Sequence, residues 1–288
     1  MILGTVQLGM DYGINNVDGK PTHKEAYKIL DYAYNHKIKK IDTASAYGES
    51  EKIIGEYIKS SGNKFNICTK LPVDVSSFLL KFECEKTLSV LNIDYIDVYY
   101  LHKFEQCKDK AIMSELIGLK NIHKINKIGV SIYEPIELEY IINNLQRVVD
   151  VVQIPFNIFD NSRWLDNLLL KKACEAGIEL YIRSVYLQGL LFKEKSDADI
   201  IARKMTNILA LIQNESKRYD LSLAEFALSF VCSFPYFSEV ILGVEKKEQL
   251  KMNICAESRI KKLDEKTMES LYDESSKLPI CAIDPRKW

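Results

Sequence analysis

The sequence has no C-x-x-C pair and no cluster of His and Cys residues. Its seven cysteines are an odd number, scattered from Cys68 to Cys281. That spacing excludes a disulfide framework and a zinc site, so no metal is expected, and reduced thiols in a cytoplasmic protein fit best. A basic excess is missing as well. The 39 Lys+Arg stand against 40 Asp+Glu, a net charge of −1, so neither nucleic acid nor an anionic membrane surface is expected as a partner. No apolar run reaches the length of a membrane span. The opening MILGTVQLGMDYGI lacks the charged and uninterrupted apolar regions of a signal peptide. Low-complexity linkers, composition breaks and internal repeats are also missing, so residues 1–288 read as one domain.

What is present is alternation. Short β-branched or aromatic runs at 2–7, 39–42, 65–69, 95–101, 125–130, 148–154, 178–182 and 239–243 read as strands. Helical patterns separate them, at 23–36, 50–60, 76–91, 110–123, 134–146, 164–176, 200–217 and 246–254. The first places Ala26, Ile29, Leu30 and Ala33 on one face, and Ser50 is the expected N-cap of the second. Parallel neighbours need a crossover, so strict alternation predicts a parallel sheet. Eight such units in 288 residues predict a (β/α)8 TIM barrel. An open doubly wound sheet is the alternative, and it lacks a G-x-G-x-x-G after the first strand. Extra helices are expected at 222–233 and near 263–276.

In such a barrel the active site lies at the carboxyl ends of the strands. Strand two ends in Asp42, strand three runs into Lys70, strand four ends in His102, and Tyr47 follows Asp42 by five residues. Their chemistry is coherent. A free tyrosine has a pKa near ~10, and a neighbouring ammonium lowers it. A carboxylate beside the lysine keeps it charged and in place, and a histidine orients a carbonyl oxygen. Together they form an acid that protonates an oxygen as hydride reaches its carbon. Each residue alone has a plainer explanation: a turn carboxylate, one of 16 tyrosines, a solvated loop lysine, a histidine satisfying loop backbone.

The segments LGTVQLG, IDTASAYGESE, ICTKLP, DVYYLHK, KIGVS, VQIPFN, RSVYLQGLL and ILGVEKKEQLKMN resemble, in order, the motifs of the aldo-keto reductases. The resemblance spans Leu3 to Asn253. The first and the RSVYLQGLL segment resemble a bacterial branch often associated with surface-sugar metabolism. It implies reduction of an aldehyde or ketone, including sugar-type carbonyls, by NADPH or NADH bound across the strand ends. Tyr47 would be the general acid, Lys70 and Asp42 its tuning pair, and His102 the orienting group. Ser131, Gln153 and Asn157 would hold the nicotinamide carboxamide. Ser184, Leu187 and Gly189 would lie along the pyrophosphate, and Gly243, Gln249 and Asn253 around the adenosine.

Four positions depart from the family pattern. Arg183 stands where an aromatic usually stacks on nicotinamide, and it brings a permanent charge. It is expected either to line the cofactor or substrate site or to pair with Glu179 or Asp160. Val244 and Glu245 stand where readers of a 2′-phosphate carry Ser, Arg or Lys, yet Lys246 and Lys247 follow, so cofactor preference stays open. Met252 replaces a common acidic residue near the adenine. Two further functions compete: a non-catalytic nucleotide-binding regulatory member of this fold, and a barrel lyase or isomerase using Lys70 as a Schiff-base amine.

Overall fold

A computed structural model describes residues 1–165, 168–192 and 205–288. Eight parallel strands close into a barrel in sequence order. They are β1 (Ile2–Gly4), β2 (Lys40–Asp42), β3 (Asn66–Lys70), β4 (Ile96–Leu101), β5 (Ile125–Ser131), β6 (Val151–Pro155), β7 (Glu179–Arg183) and β8 (Phe237–Gly243). The register pairs Gly4 with both Asp42 and Gly243, and Ser131 with Gln153. Gly4, Asp42 and Gly243 are therefore level with one another, as are Ser131 and Gln153.

The interior is filled by side chains rather than open. Ile2, Cys68, Val98, Tyr100, Val151, Tyr181 and Ile241 form one buried cluster inside the ring. A Cβ at Gly129 would stand 2.3 Å from the Tyr100 ring, so glycine there makes room for that aromatic. The packed plug leaves only the strand ends free to form a site.

The helices follow from their caps and faces. The segment His23–Asn35 starts at a Thr22–Glu25 capping box and buries Ala26, Ile29, Leu30 and Ala33, the face its spacing predicts. Helix Leu223–Cys232 opens with a Ser222–Glu225 capping box and is buried over most of its circumference.

Several expectations are corrected. The first strand stops at Gly4, and Val6–Gly9 is a helical turn. Ser50 does not cap its helix: it is the first helical residue, fully buried, and its hydroxyl donates to the Thr5 carbonyl at 2.9 Å. The strand expected from residue 148 begins at Val151. The helix expected at 164–176 is two, Asn161–Leu165 and Leu169–Glu175, with 166 and 167 outside the described residues. Of the helix expected at 200–217, residues 200–204 lie outside the described residues and Thr206–Arg218 is helical. The expected helices near 222–233 and 263–276 are present as Leu223–Cys232 and Glu265–Ser276. A short C-terminal tail, Asp284–Arg286, folds back to the β5 side of the mouth through Arg286–Glu134 at 2.8 Å.

Candidate active site

A cavity of about 600 Å³ opens at the carboxyl ends of the strands. Asp42, Tyr47, Lys70 and His102 all line it, although up to 60 residues separate them in sequence. Lys70 and Asp42 are nearly inaccessible, at 2% and 4% exposure. Lys70 Nζ donates to Asp42 Oδ1 at 2.7 Å and to the Thr43 carbonyl at 2.9 Å. The same ammonium lies 4.8 Å from the centre of the Tyr47 ring. Burial penalises the Lys70 charge, but the Asp42 carboxylate and the Tyr47 phenol outweigh it, and its pKa rises above the ordinary value. Lys70 therefore stays an ammonium.

The His102 ring stands edge-on to Tyr47, with centroids 6.5 Å apart and planes at 89°. Its pKa falls to about 4, chiefly through burial, with Lys70 and Arg183 adding to the effect. The imidazole is thus neutral at ordinary pH, and Nδ1 is buried with no hydrogen-bond partner among the described residues.

The local backbone that delivers Tyr47 is tight. A Cβ on Gly9 would stand 1.8 Å from the Tyr47 carbonyl and 2.5 Å from the Ser50 nitrogen. Glu49 N donates to the Gly9 carbonyl at 3.2 Å. Only glycine allows the turn after β1 to brace the Tyr47 loop this closely.

The expected cofactor residues divide into two groups. Ser131, Gln153, Arg183, Ser184, Gly189, Gly243, Glu245, Gln249 and Asn253 line the cavity. Asn157 and Leu187 do not. Asn157 is buried and donates through Nδ2 to the Ser184 carbonyl at 3.1 Å, holding a residue whose φ is +63°. Leu187 is turned into the core at 1% exposure. Both support the wall from behind. Gln153 has a partner inside the protein: Nε2 donates to Asp42 Oδ2 at 2.8 Å.

At the β8 end, Gln249 Nε2 donates to Glu245 Oε1 at 2.6 Å, while its Oε1 accepts from the Glu245 and Lys246 amides. Lys246 pairs with Asp18 at 2.5 Å, and Lys247 lies over the Tyr32 ring at 5.1 Å. Neither lysine lines the cavity, whereas Glu245 does. Met252 lines it too, where an acidic residue is common in the family.

Arg183 pairs with neither acid expected for it. Glu179 is bound by Lys127 at 2.5 Å and Asp160 by Arg163 at 2.5 Å. The Arg183 guanidinium instead lies 4.2 Å over the Tyr133 ring, and Nη2 donates to the Ile132 carbonyl at 3.0 Å.

Sequence reasoning missed Gln7, Tyr12, Asn15 and Tyr133, all on the cavity wall. Tyr12 has its phenol pushed up to about 12, mainly by burial and next by Tyr47, so it remains protonated. Gln7 sits on the short helical turn Val6–Gly9 and the others on loops, all without periodicity, and a neighbouring strand-end motif was the signal available. The segment carrying Asn15 crosses to the β7 side. Asn15 Nδ2 donates to the Gly189 carbonyl at 2.6 Å and the Ile14 amide to the Gln188 carbonyl at 3.0 Å.

Gln7 Oε1, like His102 Nδ1, is buried with no partner among the described residues. A Cβ on Gly243 would stand 2.6 Å from Gln7 Oε1, so glycine is what leaves that amide its place. A family model described as the aldo/keto reductase family matches residues 1–273. The chain belongs to that family. The uncharacterized oxidoreductase YqkF of Bacillus subtilis (strain 168) is 28% identical to this aldo/keto reductase, covering 94% of this chain and 97% of that protein. The D-arabinose 1-dehydrogenase of Saccharomyces cerevisiae is 26% identical, covering 88% and 81%. The NADH-specific methylglyoxal reductase of Escherichia coli (strain K12) is 25% identical, covering 78% and 80%. The crystal structure of PA4992 from Pseudomonas aeruginosa superposes with a TM-score of 0.67 at 18% identity, covering 90% and 88%. That likeness concerns the fold. Among the described residues no helix of this aldo/keto reductase is long and apolar enough to cross a membrane, and no three His, Cys, Asp or Glu side chains gather as a metal site.

Proposed function

We propose that the protein reduces an aldehyde or ketone to an alcohol, with Tyr47 donating the proton. The observation that carries this is the buried Lys70–Asp42 pair at 2.7 Å beneath the Tyr47 ring. A reduced nicotinamide, when bound, supplies the hydride. Tyr47 gives its hydroxyl proton to the carbonyl oxygen, and the ammonium of Lys70 steadies the phenolate that remains. Neutral His102 donates a hydrogen bond to the same oxygen without competing as an acid. Tyr12, held protonated, shapes the wall beside it.

A Schiff-base role for Lys70 is disfavoured by the same geometry. An amine nucleophile must lose its proton, and Asp42 stabilises the charged form at hydrogen-bond distance. A purely regulatory role leaves the buried pair under a partly exposed phenol without a purpose.

For the cofactor, the charge on the wall favours NADH. Glu245 lines the cavity with its carboxylate steadied by Gln249, where it would accept from a ribose hydroxyl and repel a phosphate. Lys246 is neutralised by Asp18. The name of the Escherichia coli relative, an NADH-specific reductase, is consistent with this preference. The test is oxidation of NADH and NADPH, followed by the loss of the reduced nicotinamide's absorbance, with small aldehydes, ketones and sugar carbonyls. Cofactor binding without turnover of any carbonyl would overturn the reading.

A further inference from the structure

Three arginines meet at the rim above β5 to β7, and two have their charges matched. Arg163 binds Glu134 at 2.8 Å and Asp160 at 2.5 Å. Arg286 binds Glu134 at 2.8 Å and Asp284 at 2.6 Å. The third, Arg183, has no carboxylate in ion-pair distance among the described residues. It is half-buried against the cavity and held by neutral groups: the Ile132 carbonyl at 3.0 Å and the Tyr133 ring at 4.2 Å. Arg286 lies 4.0 Å from the centre of the same ring. Tyr133 is thus pinned between the C-terminal tail and Arg183, which makes the guanidinium a placed group rather than a loose one.

The other cation on the cavity wall, Lys70, is consumed by Asp42. The remaining wall carboxylate, Glu245, lies beyond β8 and is occupied by Gln249. Among the described residues, Arg183 is therefore the cavity cation with no carboxylate in ion-pair distance. Its position also separates substrate from pyrophosphate. The guanidinium reaches back from β7 across β6 to the end of β5, away from Gly243 and Glu245. Its field contributes to the depressed pKa of His102 at the end of β4, so it stands on the side of the mouth where the proton donor works. A guanidinium fork matches a carboxylate in a bidentate fashion, and a single unmatched charge suits a monoanion.

We propose that Arg183 recognises a carboxylate on the carbonyl substrate, making this protein a reductase of oxo acids or acidic sugars in preference to neutral aldehydes. This rests on the reductase reading above. A nucleotide-linked sugar would bring two phosphates and ask for more unmatched cations than the wall offers.

The test pairs succinic semialdehyde with butanal, and glucuronate with glucose, under saturating NADH. The wild-type protein is expected to favour the charged member of each pair in kcat/KM. Arg183→Met should lower the charged-to-neutral ratio about ten- to hundred-fold, through KM, the scale of hydrogen bonds to a charged group. Arg183→Lys should restore part of it. An unchanged ratio in Arg183→Met overturns the proposal, and so does an equal loss on both members with weaker NADH binding, which would assign the residue to the cofactor. A second measurement does not need turnover: calorimetric titration of succinate and of inorganic phosphate into the NADH-loaded protein. Succinate binding that is lost in Arg183→Met supports the carboxylate site even if no carbonyl is reduced, an outcome that would sink only the reductase reading. Succinate binding equal in both proteins, or phosphate binding tighter than succinate, overturns the carboxylate assignment.

Discussion

Gln153 donates through Nε2 to Oδ2 of Asp42 at 2.8 Å, the carboxylate oxygen that Lys70 leaves free. A single buried acid thus ties together the ends of β2, β3 and β6. The charge under Tyr47 is held by a hydrogen-bonded network rather than by a lone pair of ions.

The first prediction concerns the proton. Tyr47→Phe removes the hydroxyl and keeps the ring over Lys70. Turnover should fall about 100- to 10,000-fold, the range general acid catalysis supplies. Dissociation constants for NADH, from its fluorescence, should stay within about three-fold, since no uncompensated charge is created. Turnover near the wild-type level would remove Tyr47 from the role.

A second prediction separates structure from chemistry at the pair. Lys70→Met leaves Asp42 charged and buried with Gln153 as its remaining side-chain donor, and should cost about 3–5 kcal/mol of stability. The double variant Asp42→Asn/Lys70→Met should recover most of that in chemical denaturation, because no buried charge is left unpaired. Turnover should stay low in both. Recovery of activity in the double variant would show that the ammonium is dispensable.

His102 gives a pH prediction. Its folded pKa, about 4, lies below the usual histidine value. Between about pH 6.5 and 4 the unfolded chain binds the proton and the folded one does not, so stability rises with pH across that window. The contribution is present above about pH 6.5 and is lost as pH falls towards 4. His102→Gln should flatten the change in Tm between pH 4.5 and 7, roughly the window set by those two values. An undiminished slope would place the titrating group elsewhere.

Cofactor selectivity should respond to two separate charges. Glu245→Ser should shift the ratio of NADPH to NADH affinity towards NADPH by about five-fold or more, a modest effect because the site is partly exposed. Asp18→Asn should move it in the same direction by freeing Lys246. Unchanged dissociation constants in both variants would mean that the ribose does not face this end of β8.

Gly9 offers a test of how the Tyr47 loop is set. In Gly9→Ala the new methyl meets the Tyr47 carbonyl and the Ser50 nitrogen, both backbone. Overpacking of this kind costs about 1–3 kcal/mol or more, and the displaced loop should lower kcat as well. A variant with wild-type Tm and kcat would show that the turn relaxes without moving Tyr47.

Part of this was legible in the linear chain. Apolar runs with period two or continuous burial, broken by amphipathic helices, specify strands and crossovers locally, so eight alternating units led to the barrel. Asp42, Lys70 and His102 end consecutive strands, and the barrel rule alone places them at one mouth. Strand ends were less legible: β1 stops at Gly4 because Thr5 and Ser50 hydrogen-bond across the loop, a contact between positions 45 residues apart.

The sequence by itself determined the fold class and the family, and it nominated four side chains for the proposed chemistry, because these follow from periodicity and from residues fixed to strand ends. Only the tertiary structure decided what each polar group faces. Gln153 turns to Asp42, Asn157 to the Ser184 carbonyl, Gln249 to Glu245, and Lys246 to Asp18. Among the described residues Arg183 pairs with no acid, and Lys127 and Arg163 occupy the two that stood as its expected partners. Hydrogen bonds and ion pairs are short-range and directional, so partner choice among many acids and amides depends on distances of a few ångströms that no pattern along the chain encodes.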